Sequence, residues 1–239
     1  MHLYDLPRPP PIAPRLNPST PTAPNAASLW SPLAQPAFRG LWGAGSLFFV
    51  GNAMQNMAAS WLMIELTASS FLSALVQTAS FLPMFLLSLP AGVLADTIDR
   101  RRLMLRIQGV YGLAALTLTL LALAGWIGPG GLLFFTFLLG VCTALQSPSW
   151  NSAVSDTVAR TELPLAITLV SMTFNGARAV GPGLAGVLFA LTGGAAVFAV
   201  AVLTAFGMSW ATRRWPPRPP SPGRLPAEQI GRASCRERV

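Results

Sequence analysis

Histidine is all but missing from this chain. His2 is the only one, which excludes a histidine-based metal centre or a Ser/His catalytic pair. Cysteine is nearly as scarce. Cys142 lies in an apolar stretch and Cys235 among the last residues, a spacing that gives neither a disulfide framework nor a metal site. Lysine is absent, and all 16 bases are arginine. Beside abundant Ala, Gly and Pro, that bias reads as the codon usage of a GC-rich genome and carries no chemistry. Charged residues make up only 10% of the sequence, and no Asp, Glu or His falls inside any of its long apolar segments. An intramembrane enzyme would need such groups, so no catalytic residue, metal or cofactor is expected.

What the chain does have is apolar surface. With 52% hydrophobic residues and a mean hydropathy of +0.53, it is too apolar for a soluble domain of its 239 residues and reads as a polytopic membrane protein. The net charge of +8 does not point to nucleic acid, because the bases lie between apolar spans and not on one face. Membrane lipid is the expected partner.

Residues 1–37 are rich in Pro, Ala, Ser and Thr with no apolar period, which predicts a disordered tail. No basic segment followed by an apolar core and cleavage site marks it as a secretory signal. Six segments of about 20 residues follow, each long enough to cross roughly 30 Å of hydrocarbon as a helix. They cover 41–64, 71–95, 103–126, 132–155, 165–189 and 195–211. Links this short force neighbouring helices antiparallel, so the predicted class is all-α, a six-helix transmembrane bundle over 38–212. The first, third and fifth links contain no Arg, whereas the tail, the second and fourth links and the segment after the sixth span do. Both termini are therefore expected in the cytoplasm. Residues 213–229 read as the start of a Pro-rich linker. The last ten, 230–239, resemble the conceptual translation of a common sequencing adapter, which implies that Cys235 and three arginines mean nothing and that the natural protein continues.

Uncharged polar residues inside the spans are expected to face the bundle interior, since an unpartnered amide in hydrocarbon costs about a few kcal/mol. In the first span Asn52, Gln55 and Asn56 stand at i, i+3, i+4 and share one face. Gln77 lies in the second span, and Gln146 and Asn151 in the fourth. Each could be interhelical glue, but their concentration on the first and fourth spans favours a polar pathway. In the fifth, Ser171, Asn175 and Arg178 form a stripe at i, i+4, i+7. A guanidinium deep in a span costs at least about 2.5 kcal/mol, so Arg178 needs a cavity, a carboxylate or an anionic ligand. Ala177, Gly181 and Ala185 then repeat small residues at spacing four, with Pro182 beside them, which lets another helix pack close.

Two runs carry a family likeness. Gly92-Val-Leu-Ala-Asp96-Thr-Ile-Asp99-Arg100-Arg101-Arg102 resembles the loop between the second and third spans of the major facilitator superfamily, Gly-x-x-x-Asp-Arg/Lys-x-Gly-Arg/Lys-Arg/Lys. Thr97 stands for a base and Asp99 for the second glycine. Ala177-Arg-Ala-Val-Gly181-Pro182-Gly183-Leu-Ala-Gly186 resembles the exporter motif of that superfamily's fifth span. Asn-x-x-Arg-x-x-Gly-Pro at 175–182 looks most like the enterobactin-exporter branch, the transmembrane secretion effectors. The resemblance implies the N-terminal half of a twelve-span transporter, with substrate bound between two halves that rock alternately. It implies that Asp96 faces a helix end of the absent C-terminal half and that Arg100, Arg101, Arg102 and Asp156 belong to a cytoplasmic gate. The function implied is proton-coupled export of small organic molecules such as siderophores or drugs. The alternative is a non-transporting membrane anchor or scaffold. No acid lies deep in these spans, so a coupling carboxylate is Asp96 or lies in the other half.

Reporter fusions at Ser69, Gly130 and Gly193 are expected to behave as extracytoplasmic, and fusions at Asp99 and Thr161 as cytoplasmic. Reversal at any two sites would discard this topology.

Overall fold

The computed structural model describes residues 28–215, without the side chains of Val93, Ala95, Asp96 and Thr97. The expectations for residues 1–27, for most of the Pro-rich linker and for the adapter-like 230–239 therefore lie outside the described residues, as does the Asp96 carboxylate.

Six helices follow one 3-10 turn at Ser31–Ala34. They are α1 (Pro36–Thr67), α2 (Ser70–Thr97), α3 (Arg100–Leu123), α4 (Pro129–Thr157), α5 (Leu163–Thr192) and α6 (Gly194–Arg214). Each coincides with one predicted span, and the class is all-α. Local chemistry sets the ends. Pro36 and Pro129 open α1 and α4, where a missing N–H costs nothing. Ser69 and Asp99 cap α2 and α3 by accepting the Leu72 and Arg102 N–H groups at 3.4 and 2.8 Å. Gly193, at φ +83°, ends α5 and turns directly into α6.

Three expectations need correction. First, the extended tail stops short of residue 37. Leu29 and Leu33 pack on the core, and the Gln35 amide donates to Glu162 at 2.6 Å, tying the start of α1 to the start of α5. Second, the loop-like charged link at 96–102 is nearly all helix. Asp96 stands in the last turn of α2 and Arg100, Arg101 and Arg102 open α3. The Asp99 cap makes so abrupt a restart possible, and its carboxylate offsets bases at a helix N-terminus that the helix dipole disfavours. Third, α2 to α6 are long and apolar enough to cross a membrane, whereas α1, the longest at 32 residues, is long enough but less apolar. Asn52, Gln55 and Asn56 lower its hydropathy.

Those amides explain why α1 occupies the centre, packed against α2, α4, α5 and α6. Of the remaining pairs, α2 lies along α4 and α3 along α6, while α2 and α3 barely touch despite their short link. The up-down course brings Arg39, Arg100–102, Arg160, Arg213 and Arg214 to one end of the bundle. Among the described residues, the opposite links carry no arginine. Two glycines let neighbouring helices cross closely. A Cβ at Gly140 of α4 would stand 2.6 Å from the Ser80 carbonyl oxygen of α2, beside Pro83, whose missing N–H leaves the Ala79 carbonyl without its helical donor. A Cβ at Gly181 of α5 would stand 2.6 Å from the Ala53 Cβ of α1. The small-residue face Ala177, Gly181 and Ala185 is buried there, so the close approach expected of that repeat is made to α1.

Gly181→Val is expected to destabilise the bundle by about 1–3 kcal/mol through overpacking, read as a fall in the thermal midpoint in detergent. Gly176→Ala, where an added Cβ meets nothing within 4 Å, should leave the midpoint unchanged or raise it. Equal midpoints for Gly181→Val and the parent would contradict the crossing.

Candidate functional site

A cavity of about 370 Å³ opens between α1, α2, α4 and α5, a volume within the usual range of small-molecule sites. The amide face of α1 (Asn52, Gln55 and Asn56) forms one wall, and Gln146 and Asn151 of α4 form another. From α5 come Ser171 and Asn175, one turn apart. Polar residues singled out on the first, fourth and fifth spans thus line one cavity.

Aromatic rings fill the spaces between the amides. Phe49 of α1 meets Trp150 of α4 and Phe174 of α5 edge-on, each with centroids 5.5 Å apart. Gly45 makes room for the indole, because a Cβ there would lie 2.1 Å from the Trp150 ring. Phe81 and Met84 of α2 complete the wall. None of the lining residues is charged.

Most of the amides are held by hydrogen bonds. Ser80 Oγ donates to Asn56 Oδ1 at 2.7 Å, Asn56 Nδ2 to Asn52 Oδ1 at 3.3 Å, and Asn52 Nδ2 to the Tyr111 hydroxyl at 3.3 Å. This relay runs from α2 through α1 to α3. Gln108 of α3 donates to Gln146 at 2.6 Å. Gln55 differs. Its side chain is only 1% exposed, it lines the cavity, and neither its amide nitrogen nor its oxygen has a hydrogen-bond partner among the described residues. Gln77 lies outside the lining and donates to Ser60 Oγ at 3.0 Å, so its amide joins α2 to α1.

Arg178 is the sixteenth residue of the 30-residue α5, half way along it. It is not a lining residue, but its guanidinium carbon lies 5.8 Å from the Phe174 ring and 6.0 Å from the Phe81 ring, both of which wall the cavity. No carboxylate among the described residues pairs with it. Pro182, one turn on, has no N–H to give the Arg178 carbonyl. Gly186 abuts Trp61 of α1, where a Cβ would be 2.9 Å from the ring. The motif residues Gly181 and Gly186 thus serve the α1 crossing, while the Arg178 guanidinium lies by Phe81 and Phe174.

At the arginine-bearing end, Arg100 of α3 pairs with Asp156 of α4 at 2.9 Å. Arg101 donates through Nη2 to the Arg213 carbonyl, joining the first turn of α3 to the last turn of α6. Arg102 supplies its backbone N–H to the Asp99 cap. Arg214 stacks on Trp210 with 3.8 Å to the ring centre, an aromatic and basic pair of the kind found at a membrane interface. Gly92 lies in α2, with open space where a Cβ would project.

The sequence reading passed over Gln108, Tyr111 and Ser80. Gln108 and Tyr111 lie in a span poor in amides, yet they supply partners to Gln146 and Asn52. A lone amide in an apolar span was the available signal for Gln108. Ser80 and the rings offer none, since serine and phenylalanine are ordinary in any transmembrane helix.

The family model described as "Transmembrane secretion effector" matches residues 27–236. The chain is 25% identical over 146 residues to the "Staphyloferrin A transporter" of Staphylococcus aureus, an alignment covering 61% of this chain and 37% of that protein. It is 23% identical over 168 residues to "Macrolide efflux protein A" of Streptococcus pyogenes, covering 70% of this chain and 42% of that protein. The chain spans less than half the length of these curated relatives. No solved structure gives a significant match.

Gln108→Leu should destabilise the bundle by about 1–3 kcal/mol, because it strands the buried Gln146 amide. The Gln108→Leu, Gln146→Leu double variant should recover most of that loss. Thermal midpoints of the two variants check this, and a double variant less stable than the single one would contradict the pairing.

Proposed function

Because the chain belongs to the transmembrane secretion effector family, a branch of the major facilitator superfamily, we propose that it forms the N-terminal six-helix half of a secondary active exporter of small organic molecules. The family consists of multi-pass membrane transporters of small molecules, not enzymes. The observation that carries the finer reading is the uncharged, amide- and ring-lined cavity of about 370 Å³ between α1, α2, α4 and α5. The likeness to a staphyloferrin A transporter and a macrolide efflux protein favours export.

In this reading the arginine-bearing end faces the cytoplasm, by the rule that basic links stay inside. There the Arg100–Asp156 pair and the Arg101 contact to α6 hold α3, α4 and α6 together. By the likeness of its loop motif, Asp96, at the end of α2, would meet a second six-helix half. The most exposed helices, α2 and α5, would face that half, and the outer faces of the others would face lipid. Export against a gradient would draw on protons. The cavity walls contain no carboxylate, so the proton would be carried by Asp96 or by the other half. Arg178, beside two cavity rings, would then handle substrate or coupling ion.

In the full-length exporter, Arg178→Ala is expected to insert and accumulate normally while efflux falls about 10- to 100-fold, the effect of losing a charged hydrogen-bonding group of about 1.5–3 kcal/mol. Arg178→Lys keeps the charge without the planar fork and should fall less. Accumulation of a fluorescent substrate in cells, with protein quantified in the membrane fraction, checks this. Normal efflux by the Ala variant, or loss of the folded protein, would assign Arg178 a purely structural role.

A further inference from the structure

Resting on that reading of the cavity as a substrate site, we propose that its cargo is an organic anion: an uncharged, partly aromatic body among the rings and amides, with a carboxylate-class group held by Arg178.

A cationic cargo would find no carboxylate among the cavity's lining residues, and the Arg178 guanidinium beside the cavity is itself positive. The two rings at that edge could otherwise attract a cation through their π faces. Phe81 and Phe174 already have the Arg178 guanidinium at 6.0 and 5.8 Å. A second cation there would meet like charge in a medium that screens poorly.

Among the described residues Arg178 in turn has no counter-charge. It stands half way along a membrane-spanning helix, and two ring contacts do not replace the hydration of a guanidinium. Its planar fork matches a carboxylate in a bidentate pair. A second, independent observation points to a ligand deeper in the same cavity. Gln55 is 1% exposed with both amide atoms unpartnered among the described residues, and leaving such a group unmet is costly. An amide needs a neutral partner that both accepts and donates, such as a hydroxyl or another amide. Gln55 therefore reads the body of the cargo and Arg178 its charge.

The test uses three naphthalenes of nearly equal size: 2-naphthoate, 2-naphthamide and 2-naphthylmethylammonium. Each is titrated calorimetrically into the full-length exporter in phosphatidylcholine nanodiscs. Naphthoate should bind at least about tenfold more tightly than naphthamide, and the ammonium most weakly. Arg178→Gln should bring naphthoate down to the affinity of naphthamide, and Arg178→Lys should keep part of the preference. Gln55→Leu should weaken naphthoate and naphthamide by the same factor, leaving their ratio intact. Adding phosphatidylglycerol to the nanodiscs separates a free organic anion from a lipid headgroup. An unchanged naphthoate affinity supports the cargo assignment, and suppression by the anionic lipid would give Arg178 to the bilayer and overturn it. Tightest binding by the ammonium, or a naphthoate preference that survives Arg178→Gln, would overturn the inference alone. Failure of all three probes to saturate the parent protein would remove the substrate-site reading itself.

Discussion

A polar group inside a bilayer must find a partner in the protein or in water held by the protein, and the arrangement of this bundle follows from where that requirement falls. Three amides on one face of α1 cannot meet lipid. The helix that carries them is central, touching α2, α4, α5 and α6, and the amide face opens into the cavity. The more uniformly apolar helices surround it. Gln108 and Gln146 answer the same demand on α3 and α4 by pairing with each other at 2.6 Å.

Holding α1 at the centre requires its neighbours to come close without filling the hollow. Gly181 and Ala177 bring α5 onto α1, while Gly140 brings α4 onto the freed carbonyl beside Pro83. The small residues thus lie at the crossings, and the large rings of Phe49, Trp150 and Phe174 line the space left over. The exporter-like motif in α5 combines both tasks on one helix. Its small face makes the crossing, and its polar face, Ser171 and Asn175 with Arg178 beyond, borders the hollow.

Five of the six helices were legible because hydropathy marks apolar runs of about 20 residues, and that the amides of α1 share one face followed from helical spacing. Less legible was whatever depends on tertiary partners. Gln77 looked like the other amides, but its partner is Ser60, and spacing within one helix says nothing about the neighbour. Asp99 read as a departure from a glycine in the charged link, and its role as the α3 cap appears only when the loop is seen to shrink to two residues. The ordered stretch just before α1 was hidden by a proline-rich composition that predicts disorder, although Pro32 and Pro36 in fact open a short turn and a helix.

The central claim is that water reaches the amide-lined cavity between α1, α2, α4 and α5 of a membrane-embedded bundle. Single cysteines placed at Asn151, Ser171 and Asn175, in a chain with Cys142 and Cys235 replaced by serine, measure this directly through labelling by a charged maleimide in the intact membrane. Leu113 and Leu120, exposed on the outer face of α3, serve as lipid-facing controls. The account predicts rapid labelling at the three cavity positions and none at the two controls. Equal protection at all five, or labelling confined to α3, would contradict it.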